Sequence, residues 1–317
     1  MNKIVILGAS GYVGLSLMRT LIELESTSVT VLCRSPQTFN GKFPFSEKVI
    51  IFQGDILDAN SLEGLFEKDC VVINLAYLRG SNESENLMAI NNLVDACKSA
   101  GIKRFIHLST AMVSGRTNSI EITEEEMGDP RTEYATTKLS VEKAIANAAT
   151  GYFDFVILRP TAIFGPNSEN LKKLGNDLIE GKRVRNYLKS CLFNRRRMNL
   201  VHISNVIGAI VFMQNRKENL NGEIFIVSDS EATRNNFRDV ESGLMAELGI
   251  SDYSFPRLKI PVFVLRWLLI FLGKDNANPR SDYLSTKLRD LGYRKPQKFE
   301  DALVDYATWL RSNNKYS

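Results

Sequence analysis

Six short, mostly apolar runs punctuate the first half of the chain: Ile4 to Leu7, Val29 to Leu32, Val49 to Phe52, Val71 to Leu75, Phe105 to Leu108 and Phe155 to Leu158. Runs of this length without polar alternation suit strands buried on both faces. Between them the period changes. Val13, Leu17 and Leu21 recur four apart within Tyr12 to Glu25, and Leu87, Ile90, Val94 and Cys97 recur within Leu87 to Ala100. These are helical spacings, and Ser61 to Glu67 reads as a short turn-like helix. Doubly buried strands alternating with amphipathic helices predict an α/β fold built on a doubly wound parallel sheet.

After Pro160 the regularity fades. Gly165-Pro166-Asn167 is turn chemistry, and Lys182 to Arg197 reads as a basic loop. Leu200 to Ile203 with Val206 to Gln214 gives one more strand and helix, Glu223 to Val227 another strand, and Asn236 to Leu248 a helix. The longest apolar stretch, Ile260 to Leu272, has Arg266 at its middle. It is shorter than the roughly 20 residues a membrane span needs. It reads as a helix buried in the C-terminal region, the alternative being a surface-seeking or partner-binding helix.

Composition narrows the partners. The 317 residues are 24% charged and 44% hydrophobic, which describes a soluble globular chain. Forty Lys and Arg against 36 Asp and Glu leave a net charge of +4, too small a surplus to imply a polyanion partner. Cys33, Cys70, Cys97 and Cys191 are scattered, and His107 and His202 are the only histidines. That supports neither a disulfide framework nor a metal site and fits a reducing, cytoplasmic compartment. Ile4 to Leu7 is too short for a signal-peptide core.

Gly8-Ala9-Ser10-Gly11-Tyr12-Val13-Gly14 lies between the first strand and the first helix, the context of a dinucleotide-binding fingerprint. Glycines allow backbone contact with a pyrophosphate, and a helix start offers free N–H groups. Gly8, Ser10, Gly11, Tyr12, Val13 and Gly14 are therefore cofactor candidates on a Rossmann-like sheet. At the second strand's end, where an NAD-specific protein usually carries a carboxylate, stand Arg34 and Ser35. A guanidinium can grip a 2′-phosphate bidentately, so NADP(H) is expected over NAD(H). Gly54-Asp55 would approach the adenine, and Leu75 and Ala76 would line the path to the nicotinamide. The expected division is a dinucleotide-binding domain of residues 1–165 plus about 199–230. A smaller, mostly helical substrate-binding cap takes about 166–198 and 231–317.

Tyr134 and Lys138 are four apart, on one helical face. Alone that spacing is common; its order is specific. The glycine loop comes first, then Ser109-Thr110 closing the fifth strand, then Tyr134 and Lys138, then Arg159-Pro160 closing the sixth. With GASGYVG, GDILD, HLSTAMVSG, YATTK, LRPTAIFGP and NLVHISNV, the chain resembles the extended short-chain dehydrogenase/reductase family, the nucleotide-sugar epimerase, dehydratase and ketoreductase group. The resemblance covers about residues 3 to 230. It implies that Thr110, Tyr134 and Lys138 are catalytic. A carbonyl accepting hydride needs a proton, which Tyr134 would give while Thr110 donates a second hydrogen bond. Lys138 would lower the phenol's pKa from about 10 toward neutrality. Ile56, Tyr77, Asn92, Ser109, Lys138, Pro160 and Ile163 complete the cofactor candidates; Thr110, Ala111, Tyr134, Arg197 and His202 are the substrate-side ones, although His202 reads better as a packing residue.

Departures from the pattern carry information. The family's dehydratases hold an Asp-Glu pair after the catalytic Thr, where this chain has Ala111 and Met112, so elimination is not expected. Ser114 replaces a usual tyrosine and Met198 a frequent substrate arginine. Seven cations (Lys182, Arg183, Arg185, Lys189, Arg195, Arg196 and Arg197) read equally as a solvated loop or as ligands for a nucleotide diphosphate; nucleic acid is disfavoured because few aromatics interleave. The expected function is an NADPH-dependent ketoreductase of a nucleotide-linked 4-keto deoxysugar. The alternatives are a 4-epimerase retaining NAD, a reductase of a steroid- or flavonoid-like ketone, and a non-catalytic nucleotide-binding factor. A homodimer through Leu87 to Ala100 and Tyr134 to Ala149 is compatible with the small residues Ala144, Ala146 and Ala148.

Overall fold

The computed structural model describes residues 2–24, 27–43, 46–258, 260–273, 275 and 277–313. In chain order the elements begin with β1 (Asn2–Leu7), α1 (Tyr12–Glu23), β2 (Thr27–Cys33), α2 (Pro36–Asn40), β3 (Val49–Gln53), β4 (Val71–Asn74), α3 (Glu83–Ala100) and β5 (Arg104–Leu108). They continue with β6 (Glu121–Ile122), α4 (Glu133–Ala149), β7 (Asp154–Pro160), β8 (Ala162–Phe164), α5 (Lys172–Ile179), α6 (Arg183–Phe193), β9 (Leu200–His202), α7 (Ile203–Asn215) and β10 (Ile224–Val227). The C-terminal part adds α8 (Phe237–Glu247), α9 (Val262–Phe271), β11 (Asp282–Tyr283), α10 (Thr286–Asp290) and α11 (Phe299–Asn313). Each of the six apolar runs is a strand, but β3, at the end of the sheet, holds no buried residue and so departs from the expected burial on both faces. Glu25, the expected end of the first helix, lies outside the described residues. The expected helix over Ser61 to Glu67 is instead a single 3-10 turn at Ala59–Leu62, displaced toward Asp58 because that carboxylate caps the Asn60 N–H at 3.1 Å.

The chain forms two compact units. The first comprises residues 1–110, 133–159 and 207–225. Its sheet runs β10-β7-β5-β4-β1-β2-β3, the recorded pairings from β7 through β3 all being parallel. The order steps outward from β1 in both directions, the arrangement whose switch point lies between β1 and β4. Register aligns the strand ends: Leu7 pairs with Leu32 and Asn74, and Asn74 pairs with His107. The glycine loop, Arg34, Leu75 and Ser109 therefore all emerge at the carboxyl edge. One core holds this together, with Val5, Val72, Phe105 and Ile157 of the strands meeting Leu93, Val94, Val141 and Ile145 of α3 and α4.

Several charges are buried inside this unit, and Arg104 is the most enclosed of its arginines. Arg104, 2% exposed, pairs through Nε with Asp154 and donates from Nη1 to the carbonyls of Met213 (2.6 Å) and Arg216 (2.8 Å), and from Nη2 to Glu218. It ties β5 and β7 to the end of α7.

The second unit comprises 111–132, 160–206 and 226–317. Parallel ladders join β8 to β9 and β6 to β11, and Phe164, Leu200, Leu244, Leu303 and Tyr306 share a core. Two expectations change here. The basic run Lys182 to Arg197 is mostly helix, α6, because counter-charges come from elsewhere: Asp177 on α5 pairs with both Arg185 and Lys189, one turn apart on the same face. The apolar Ile260 to Leu272 stretch carries α9, but it is not a buried helix: Leu265 and Leu269 are buried while Phe263, Trp267 and Phe271 are exposed.

Arg104→Met should lower unfolding stability by about 3 to 5 kcal/mol, because it leaves Asp154 and three carbonyls without their donor. Urea denaturation measures this; a loss below about 1 kcal/mol would show that the anchor is dispensable.

Candidate active site

The loop after β1 is shaped by backbone proximity. Gly8 adopts φ 79°, and a Cβ there would sit 2.8 Å from the Ala76 nitrogen at the end of the neighbouring β4. A Cβ on Gly14 would lie 2.4 Å from the Gly8 carbonyl oxygen. Only glycine fits either position. The α1 N-cap is Gly11, with no side-chain cap and no acidic residue in the first turn. Ser10 and Gly11 are exposed and Tyr12 and Val13 half-buried. An uncapped helix start with its positive dipole end behind a side-chain-free loop fits a diphosphate. These residues could hold a dinucleotide.

The tip of β2 carries the exposed Arg34, whose guanidinium has no partner among the described residues. Ser35 caps α2, accepting from the Thr38 N–H at 3.4 Å. After β3, Asp55 accepts from the Leu57 N–H at 3.0 Å and its own N–H bonds Ser61. Asn92 differs from expectation. Its amide donates to the carbonyls of Ile56 and Leu57, both at 3.1 Å, so it fixes this loop rather than reaching for a cofactor. Leu75 and Ala76 continue from β4, with the Ala76 N–H held by Asn74 at 3.0 Å.

Thr110, Tyr134 and Lys138 are brought together within the first unit. The Thr110 hydroxyl hydrogen-bonds the Tyr134 phenol. The rings of Tyr77 and Tyr134 meet edge to face, 5.0 Å between centroids, and the Lys138 ammonium lies 5.3 Å from the Tyr77 ring centre. Lys138 is buried and donates to the Leu108 carbonyl at 3.0 Å. Ser109, also buried, has no hydroxyl partner among the described residues. Partial desolvation raises the Tyr134 pKa, offset in part by Thr110, although 36% of the residue is exposed. This corrects the expected lowering: the ammonium is spent on a carbonyl behind Tyr77, and desolvation of the phenolate decides the sign. Burial lowers the Lys138 pKa to about 8, against the opposing pull of Glu142.

Three features escaped sequence reading. Tyr77, expected as a cofactor contact, packs against both the Tyr134 ring and the Lys138 ammonium. His107 is buried, with Nδ1 3.2 Å from the Asn74 amide and Nε2 without a partner among the described residues; it lines, with Lys138, Tyr77 and Asn86, a cavity of about 20 Å³, room for one water. Glu142 forms a buried pair with Arg159, which donates from Nη2 at 2.6 Å. The apolar runs gave no sign that polar groups were enclosed behind them.

In the second unit the substrate-side candidates separate. Pro160 ends β7, and the Ile163 carbonyl accepts from Asn170 at 2.7 Å. Ala111 is packed with Ile122, Ile226 and Tyr283. Arg197 pairs with Asp282 and donates to the carbonyls of Ser230 and Ala232. It is therefore committed internally, which corrects its assignment as a substrate ligand. His202 is buried, its ring 5.2 Å from that of Phe164, and desolvation lowers its pKa to about 4; it packs, as its sequence context suggested.

Lys138 makes a pH prediction. Unfolded, a lysine titrates near 10.4; folded, this one titrates near 8. Between those values the unfolded chain binds the extra proton, so its contribution to stability rises with pH across that window. Lys138→Met should flatten that part of the denaturation profile relative to wild type. Parallel profiles from pH 8 to 10 would contradict the buried, proton-losing ammonium.

Comparison with known proteins is consistent with this geometry. A UDP-glucose 4-epimerase of Vibrio cholerae is 25% identical over an alignment covering 99% of this chain and 97% of its own. The structure of UDP-glucuronic acid 4-epimerase from Bacillus cereus, in complex with UDP-glucuronic acid and NAD, superposes with a TM-score of 0.73 at 21% identity, covering 98% of this chain and 99% of that one. The dTDP-glucose 4,6-dehydratase of Bacillus anthracis, in complex with NAD, gives 0.74 at 14% identity over 100% and 98%. The model of the NAD dependent epimerase/dehydratase family matches residues 4–228. The chain belongs to that family, enzymes of the extended short-chain dehydrogenase/reductase type.

Proposed function

We propose that this enzyme is an NADPH-dependent ketoreductase acting on the keto group of a nucleotide-linked deoxysugar. The glycine loop from Gly8 to Gly14 would hold the cofactor diphosphate, and Arg34 with Ser35 its 2′-phosphate. The reduced nicotinamide, when bound, supplies hydride to the carbonyl carbon. The chain's own residues manage the oxygen. Tyr134 gives its proton to that oxygen, and Thr110 holds it with a second hydrogen bond. A phenol kept above its ordinary pKa is protonated throughout the neutral range, the state a proton donor needs. Lys138 holds the end of β5 and α4 in register through the Leu108 carbonyl.

One observation carries the choice of reductase: an exposed Arg34, without a partner among the described residues, where an NAD-specific site would present a carboxylate. A reductase consumes its cofactor each turnover and uses the phosphorylated form that this cation favours. Dehydration has no acid and base to use, since Ala111 and Met112 follow Thr110. The sugar-nucleotide substrate class follows the similar proteins, named for UDP- and dTDP-linked sugars. Two of them are 4-epimerases, and this favours epimerisation on retained NAD as the second reading.

Purified protein mixed with NADPH or NADH and a panel of nucleotide-linked ketosugars, followed by the absorbance of reduced nicotinamide, separates the readings. Stoichiometric NADPH oxidation supports the reductase; tightly retained NAD with sugar interconversion and no net oxidation supports the epimerase. Tyr134→Phe should reduce kcat by about 10² to 10⁴-fold, and full turnover in that variant would defeat the assignment. Arg34→Ala should raise the KM for NADPH about tenfold or more while leaving NADH unaffected; equal effects on both cofactors would contradict 2′-phosphate recognition.

A further inference from the structure

The site described above leaves one surface of the second unit unexplained. The outward face of α9 is formed by Phe263, Val264, Trp267 and Phe271, at i, i+1, i+4 and i+8, and these side chains are 64%, 41%, 69% and 87% exposed. They fall on one arc of the helix. The opposite face turns Leu265 and Leu269 inward against Leu192 and Phe193 at the end of α6. Phe255 and Leu258, just before α9, extend the exposed apolar surface. They are held along α6 by Tyr187, which donates to the Pro256 carbonyl at 2.9 Å, and by the Leu258 N–H on Cys191 at 3.3 Å. Val184 and Leu188 of α6 are exposed as well. Soluble monomers rarely leave an aromatic cluster of this kind open to water.

The segments that carry this surface are basic in sequence. From Tyr253 to Lys274 the sequence holds Arg257, Lys259, Arg266 and Lys274 and no carboxylate, and Lys182 to Arg197 holds seven cations and none. Lys182 is paired with Glu180, Arg185 and Lys189 with Asp177, Arg197 with Asp282 and Arg257 with Asp252. Arg183, Arg195, Arg196 and Arg266 have no carboxylate partner among the described residues. Arg183 rests on the carbonyls of Ser251 and Asp252, Arg196 on the Phe193 ring, and Arg266 on Asn118. Arg195 is exposed, and it follows directly on the Leu192-Phe193 contact with α9. An aromatic ridge with Arg266 on the same helix and Arg195 beside the segment that packs on it is thus the chemistry of this surface.

We propose that α9 and the segment before it dock the enzyme on an anionic phospholipid surface, lying in the plane of the headgroups with Phe263, Trp267 and Phe271 inserted. Ten helical residues reach about 15 Å, half the hydrocarbon thickness, so the helix rests in the interface rather than crossing it. Among the described residues no helix is long and apolar enough to cross a membrane. A second copy of the chain would be a poor occupant, since a two-fold contact sets the same arginines against each other. An anionic bilayer meets both the apolar ridge and these arginines.

Flotation of the full chain with lipid vesicles tests the proposal. Wild type should float with phosphatidylcholine vesicles containing one-third phosphatidylglycerol, float far less with phosphatidylcholine alone, and be released by salt. Trp267→Ser combined with Phe271→Ser should abolish flotation while the thermal transition is kept, since both side chains are exposed. Arg195→Ser should weaken binding to anionic vesicles about fivefold, with no effect on neutral ones. Absence of wild-type flotation with either vesicle overturns the proposal. So does wild-type self-association, seen by sedimentation and lost in the double variant, because the face would then be covered by a second copy.

Discussion

The site depends on one buried ammonium. Lys138 reaches from α4, near the Tyr77 ring, to the Leu108 carbonyl, so a helix and a strand end are joined by a charge shut off from bulk solvent. Burying it is costly, and the lowered pKa records that cost. Glu142, itself paired with Arg159, offsets part of that cost. The Tyr134 phenol, hydrogen-bonded by Thr110, has a pKa above its ordinary value and stays in the protonated state.

Parallel register does the rest of the positioning. Because Leu7, Leu32, Asn74 and His107 occupy one level of the sheet, the glycine loop, Arg34, Ala76 and Ser109 emerge at one edge without long connections. The close approach of Gly8 to Ala76 shows how tightly β1 and β4 are drawn together at that point. A diphosphate fits there because backbone, and not side chain, forms the surface.

Much of this was legible in the sequence for a physical reason: doubly buried strands must be continuously apolar, and a helix start against a backbone-lined loop must be glycine-rich. The strands and the loop follow from those rules, whereas Thr110, Tyr134 and Lys138 were singled out by motif order and family resemblance, and the structure brings them together. Features set by partners distant in sequence were not legible. Asp177 turns the basic run into α6 by neutralising Arg185 and Lys189, and Asp282 claims Arg197 from 85 residues away. The sign of the Tyr134 shift depended on where Lys138 points, and spacing alone placed it merely on the same helical face. The exposure of Trp267 could not be separated from burial by periodicity, because α9 is apolar on both sides.

The central claim is that the Tyr134 phenol, partly desolvated and hydrogen-bonded by Thr110, is a protonated donor whose pKa is raised rather than lowered. Ultraviolet difference titration of wild type against the Tyr134→Phe variant isolates that one phenol in the free enzyme. The account predicts ionisation above pH 10; a phenolate forming near neutral pH would contradict it.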